Sequence, residues 1–568
     1  MKKILITLCI SLGLYSCSSF LEEKPYDFLA PENLQTSPTG IKQMVTGMYS
    51  VFFNPTFGNQ SWIYLTATDD DLTNGVDWMM GVYGVGNFKG GWIYNNPGAD
   101  PYYFFYRLIR ATNEVLEAVP NVDFSNQTPG IKEQYIGEAL TIRAWAYFHL
   151  VQMFGPVPLH LHTDDPSNMV RTPVTDVYTQ IISDLHAAEG KLFLNSKLPS
   201  SLGRGHITKG AAQLLLAKVY NTMGSGSLTN AQVTVPITIT RLRNGTILRK
   251  DTTITKNKVD GYDFSPLVAY DSAKVVAGRL IASKEYQMTS YANTWNPVNF
   301  GSTEFVFALE TVASEFSTSY NQTFSPVGLN GSGWLHYSKD LYYLHDSLDE
   351  RRLYGIAHRF QAGSKRNNGN WRMYYFPSED SLYYRNTYGT DETYTDTTSN
   401  RCFLMKWYLG EASNPSVQLG SSDPTVIGSP QQNYPLLRYT EAFLIVAEAE
   451  NEINGPTQLA YDALDMIRSW RYNTTNYQIS RTMNQQQLRS YILNERTREF
   501  IGEGYRRFDL IRWGIYLDVM NKVKSRQPNF DNQNQIISKE REPKHLLYPV
   551  PTIEIDGNSL FGPNNYGW

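Results

Sequence analysis

Apolar residues recur at three- and four-residue steps along six segments of this chain, and the segments fall into adjacent pairs. That step matches the 3.6-residue turn of an amphipathic helix. Segment 134–154 carries Leu140, Ala144, Tyr147, Val151 and Phe154 on one predicted stripe and stops at Gly155-Pro156. Segment 176–191 follows, with Val177, Ile181, Leu185 and Ala188 on one face. The pairs 208–223 with 269–283, and 439–453 with 458–471, repeat the arrangement, and their second helices both open on an Ala-Tyr-Asp step (Ala269-Tyr270-Asp271 and Ala460-Tyr461-Asp462). Small residues at turn spacing let paired helices approach closely, as stacked helical hairpins require. The pattern predicts a mostly α fold of degenerate tetratricopeptide-like hairpins, with further helices over 40–53 and 102–119.

Two insertions break the pairing. In 224–268, residues 237–243 and 246–250 read as strands about Asn244-Gly245, a β-hairpin on a type I′ turn. In 286–430 helical period is absent over most of the length, and Tyr, Trp, Asn, Gly and Ser dominate. The expected organisation is one discontinuous domain. Its helical scaffold spans 39–285 and 431–568, and the irregular, aromatic-rich, ligand-binding region spans 286–430. Residues 54–101, rich in Gly, Asp, Asn and Trp, read as loop.

The N-terminus reads as an address. Lys2 and Lys3 precede a short apolar run, so 1–16 is expected to be a signal peptide. Cys17 stands at the cleavage point and resembles the cysteine of a bacterial lipobox, although Tyr15-Ser16 departs from the commonest small pair there. Residues 17–38 then form a polar, lipidated tether, and the acyl chains at Cys17 are the one expected membrane contact. Of three cysteines, at most Cys17 and Cys402 remain in the mature chain, so a disulfide framework is excluded.

A net charge of −4 without a basic block excludes the electrostatic footprint of a nucleic-acid binder. With 18% charged residues against 39 Tyr, 26 Phe and 11 Trp, the chain is poor in charge and rich in rings. Some rings follow helical spacing and belong to the scaffold. Others lie in loops among Asn and Asp, where flat apolar faces can stack on a sugar and amides can satisfy its hydroxyls. Two clusters are candidate ligand sites. The first holds Asp71, Trp78, Trp92, Tyr94, Asn95 and Asn96; the second holds Trp295, Asn296, Trp334 and Tyr337.

Catalytic motifs fail individually. There is no His-Glu-x-x-His, no Gly-x-Ser-x-Gly and no phosphate loop. The run Asp70-Asp71-Leu72-Thr73-Asn74-Gly75 places Leu72 where a calcium loop needs its second ligand, so no motif supports a calcium ion and no cofactor is expected. The adjacent carboxylates Asp69-Asp70-Asp71 should point apart. In 494–514 a dense alternation of Glu and Arg with aromatics predicts a partly buried ion-pair network, with Glu503 facing Arg507 and Asp509 facing Arg512 along helix faces.

Several segments together resemble the SusD/RagB family of Bacteroidetes outer-membrane lipoproteins. Besides the lipobox with its Glu22-Glu23 tether, they are Arg143-Ala144-Trp145-Ala146-Tyr147-Phe148 running to Phe154-Gly155-Pro156-Val157-Pro158-Leu159; Pro435-Leu436-Leu437-Arg438-Tyr439-Thr440-Glu441-Ala442; Asn494-Glu495-Arg496 through Gly502-Glu503-Gly504-Tyr505-Arg506-Arg507-Phe508-Asp509-Leu510-Ile511-Arg512-Trp513-Gly514; and His545-Leu546-Leu547-Tyr548-Pro549-Val550-Pro551. The resemblance implies a non-enzymatic surface protein. Such a protein binds a glycan and acts as a lid on a SusC-type TonB-dependent outer-membrane transporter. A different class remains open on the residues alone: a peptide- or glycoprotein-binding scaffold that uses the helical repeats.

Overall fold

The computed structural model describes residues 34–53, 65–75, 100–242, 245–296, 302–311, 323–326, 332–365, 371–378, 394–398, 401–407, 433–472, 474, 477–523 and 539–568. Cys17 and the tether up to residue 33, together with Trp78, Trp92, Tyr94, Asn95 and Asn96, lie outside the described residues.

Helices dominate. In chain order the main ones are α1 (Pro38–Ser50), α2 (Pro101–Ala118), α3 (Ile131–Phe154), α4 (Val174–Glu189), α5 (Lys209–Ser227), α6 (Pro266–Ser283), α7 (Lys339–Leu344), α8 (Thr440–Asn454), α9 (Gln458–Arg471), α10 (Gln485–Phe500), α11 (Arg506–Arg512) and α12 (Tyr516–Val523). Their ends carry the expected chemistry. Asp100 caps α2 ahead of Pro101, Thr457 caps α9, and Asn484 with Gln487 forms a reciprocal capping box on α10. The predicted hairpins form as α3 on α4, α5 on α6, and α8 on α9, and α6 packs on α8 so that the pairs stack. Helix α3 differs from its predicted single stripe. It lies against α2 on one side and α4 on the other, and nearly every residue is buried, Glu138 and Arg143 included. Arg143 is held there by Asp184, at 2.8 Å from both Nε and Nη2.

Strands are few and short. The predicted hairpin forms from β2 (Gln232–Arg241) and β3 (Ile247–Thr255), starting earlier than its expected first strand. Pro236 hides the start from a sequence reading, because proline cannot donate in a ladder; here a register shift between Pro236 and Thr238 accommodates it. The turn also differs. Leu242 N–H donates to Thr246 O, so three residues intervene, and Gly245 takes φ +87°, where a side chain would be strained. Val233, Val235 and Ile237 alternate inward and close a second small core with Leu493, Trp513, Tyr516 and Val519. Four further elements matter below: β1 (Thr73–Gly75), β4 (Phe305–Leu309), β5 (Leu335–Tyr337) and β6 (Tyr434–Arg438). Strand β4 pairs with β6, tying residues 305–309 to the scaffold ahead of α8.

Candidate functional site

Strand β1 pairs antiparallel with β5, with Thr73 opposite Tyr337 and Gly75 opposite Leu335. This joins two segments more than 250 residues apart. Gly75 leads directly into the stretch that carries the first aromatic cluster, and Trp334 directly precedes β5. Gly75, the last described residue ahead of the first cluster, and Trp334 of the second therefore meet at one root.

Charge pairing holds that root. Asp69 accepts from Arg507, from Arg541 Nε at 2.9 Å and from Tyr516 Oη at 2.6 Å. Asp70 turns back on its own backbone, accepting from Leu72 N–H at 2.8 Å and Thr73 N–H at 2.6 Å. Burial still pushes its carboxyl up to about 6, against the pull of Lys539. Asp71 takes Arg506 through two bonds, at 2.8 and 3.0 Å. Lys539 donates to the carbonyls of Asp70 and Thr73, and burial draws its ammonium down to about 8. The three carboxylates do point apart, but each points into protein. Asp71 is 1% exposed and paired, so it is withdrawn as a ligand group.

The second cluster divides likewise. Trp295 is 1% exposed and sits edge-on to Trp407 at 5.2 Å, under the cations of Lys406 and Arg438. Tyr337 is fully buried and stacks on Phe324. Phe324 also meets Trp407, so Trp295 and Tyr337 belong to one internal aromatic layer and offer no face to a ligand. Both are corrected to core residues. Trp334 and Asn296 are half-buried, and Trp334 packs over the core beside β5. Asn74, buried on β1 opposite His336, leaves its Oδ1 without a hydrogen-bond partner. In the sequence Asn74 stands among the amides and carboxylates grouped with the first aromatic cluster.

Behind this layer lies the ion network foreseen in 494–514, larger than expected. Glu499 accepts from Arg438 Nη1 and Arg471 Nη2 at 2.8 Å each, Arg351 Nη1 at 2.9 Å and Arg471 Nε at 3.0 Å. Glu304, from the variable region, accepts from Arg438 and Arg471 at 2.7 Å. Asp509 pairs with Arg512 as predicted. Glu503 does not meet Arg507. Gly502 and Gly504 take φ +83° and +81° and end the helix between them, so Glu503 turns to Lys406 and Arg438 while Arg507 reaches Asp69. Burial opposes ionisation of Glu495 and Glu499, but the surrounding arginines hold both carboxyls below the usual range; Asp69, Asp349 and Asp509 are likewise lowered against burial by their arginines. A carboxyl with a depressed folded pKa contributes stability above its unfolded pKa of about 4 and loses it as pH falls through the folded value. Urea unfolding at pH 7, 5, 4 and 3 should therefore show stability falling steeply below pH 4. A flat profile from pH 5 to 3 would refute this linkage.

Among the described residues, no group of three or more His, Cys, Asp and Glu is placed to hold a metal ion, and no helix is long and apolar enough to cross a membrane.

Comparison with known proteins places this architecture. Residues 303–568 match the family model described as "SusD family", and residues 19–221 match one described as "Starch-binding associating with outer membrane". The chain belongs to the SusD/RagB family. "SusD-like protein P25" of Formosa agariphila is 24% identical over 98% of this chain and 97% of its own. A SusD homolog from Bacteroides thetaiotaomicron superposes with a TM-score of 0.71 at 19% identity, covering 95% of this chain and 99% of that one. Surface glycan-binding protein A from Bacteroides fluxus does so with a TM-score of 0.64 at 15% identity, covering 94% and 100%. The SusD-like fold thus extends over the helical scaffold and the β1–β5 junction alike.

Proposed function

We propose that this SusD-like protein is a non-catalytic, lipid-anchored protein of the outer membrane, facing the cell exterior. It binds a neutral oligo- or polysaccharide and delivers it, as a lid, to a SusC-type TonB-dependent transporter. One observation carries the reading: β1, which ends at Gly75 just ahead in sequence of the segment holding Trp78, Trp92, Tyr94, Asn95 and Asn96, pairs with β5 next to Trp334, over a root whose charges are internally paired. Rings and amides carried next to a charge-paired base suit a hydroxyl-rich, uncharged ligand, since stacking needs apolar faces and hydroxyls need donors and acceptors. The outer-membrane starch-binding description of the matched model and the glycan-binding name of the Bacteroides fluxus protein support this reading.

Binding to panels of polysaccharides and peptides tests it. Trp334→Ala and Trp92→Ala should each weaken glycan binding by about tenfold or more, ~1.4 kcal/mol, measured well below each variant's unfolding midpoint. A response to peptides alone, unaffected by either substitution, would refute the glycan reading in favour of a peptide-binding scaffold. Cys17→Ala should release the protein from the membrane fraction, and continued attachment would refute the lipid anchor.

A further inference from the structure

A groove of about 590 Å3 opens between the β2–β3 hairpin and α10 on one side and the end of α7 on the other, and none of its lining residues belongs to β1 or β5. Its volume falls within the roughly 300–1,000 Å3 of small-molecule sites. Helix α10 contributes one continuous polar face, in which Gln486, Ser490, Asn494 and Arg498 follow at four-residue steps with Tyr491 beside Ser490.

The charges around it are already spent. Arg468 pairs with Asp346 at 2.5 Å, Arg249 with Asp251 at 2.7 Å, and Arg498 with Glu495 at 2.6 Å. No guanidinium is left over to hold an anion. What remains uncommitted is neutral. Asn494 is only 7% exposed, and neither its side-chain amide nor that of Gln486 is hydrogen-bonded to another described residue, so both amides are open to the groove. Neutral amides offer both donors and acceptors, which suits an occupant that supplies both in return. Tyr491, under Arg498, and Tyr343 on the facing wall add ring surface. Tyr491 and Asn494 lie three residues, about 4.5 Å of helix rise, apart along the groove.

We propose that this groove is a second saccharide site, taking a neutral oligosaccharide along α10, separate from the β1–β5 platform. It rests on the glycan-binding reading above but uses none of the same residues. The sequence would not single it out, because Gln486, Tyr491 and Asn494 look there like an ordinary solvated helix face.

Calorimetric titration of the full chain with neutral hexasaccharides of α- and β-linked glucose, together with extended peptides as a control, tests the assignment. Wild-type protein should bind sugar in two events. Tyr491→Ala and Gln486→Ala should each weaken one event by about tenfold, ~1.4 kcal/mol, while Trp334→Ala weakens the other. Asn494→Leu should abolish the α10 event; if that variant does not fold, the two half-exposed positions carry the test. Loss with Trp334→Ala alone overturns the groove and leaves the platform standing. Loss with the α10 variants alone upholds the groove and removes the platform. Peptide binding lost with the α10 variants, without sugar binding, overturns the saccharide assignment.

Discussion

Replacing Glu499 with glutamine should destabilise the protein by about 3–5 kcal/mol, the cost of breaking a buried ion pair from one side. Four hydrogen bonds from three arginines converge on its two oxygens. Glutamine keeps the volume but offers one acceptor oxygen, and its NH2 group would face guanidinium donors. Arg351, Arg438 and Arg471 are each essentially unexposed, so water cannot restore the lost partner. Typical domain stabilities are about 5–15 kcal/mol, so the change is a large fraction of the whole. Urea midpoints measure it. The control is Glu114→Gln, whose partner Arg110 has a side chain 77% exposed, and it should cost no more than about 1 kcal/mol. A Glu499→Gln midpoint as close to wild type as the control's would show that the network is not tightly coupled. The converse also follows: apolar replacement of several members together should cost less than the single changes suggest.

The second large effect concerns Asp71 and Arg506. Read from the sequence, Asp71 is a ligand group, and Asp71→Asn should then lower sugar affinity at unchanged stability. The structure reverses this. Both side chains are buried, 1% and 3% exposed, and Arg506 also donates to Thr497 Oγ1 at 2.8 Å. Arg506→Met leaves a carboxylate buried without its cation and should cost about 3–5 kcal/mol. The double variant with Asp71→Asn should cost less than the sum of the singles, with a coupling of about 2–3 kcal/mol. Sugar affinity of Asp71→Asn, measured well below its unfolding midpoint, should equal that of wild type. Additive effects together with lost affinity would return Asp71 to the ligand site.

The scaffold was legible because helical period is a local property. Gln458–Arg471 falls where the apolar steps place it, and Arg143 packs as a structural residue against the next helix of its hairpin. The Glu/Arg alternation of 494–514 announced a buried network, and Asp509 with Arg512 pairs at helical spacing. Glu503 and Arg507 were misread because Gly502 and Gly504 look like ordinary family glycines, whereas their left-handed backbone ends the helix. The hairpin was seen, but its start was hidden by Pro236 and its turn was one residue longer than Asn-Gly suggested.

The candidate site was legible only in outline. Composition pointed to surplus rings outside the helical period, and part of that surplus remains at Trp334. Trp295 and Tyr337 looked the same in the sequence, yet they join Trp407 and Phe324 in the interior. A tryptophan that stacks on a sugar and one that fills a core have the same neighbours along the chain when both leave helices and strands.

By itself, the order of residues determined the stacked helical hairpins and the place of the β2–β3 hairpin among them. Each depends on spacing over a few turns or on a short motif. Only the tertiary structure decided that Asp69, Asp70 and Asp71 are a foundation, that β1 pairs with β5, and that Trp295 and Tyr337 face inward. Those outcomes depend on partners brought from up to several hundred residues away, such as Arg506 for Asp71 and Tyr337 for Thr73, and burial is a property of the packed chain.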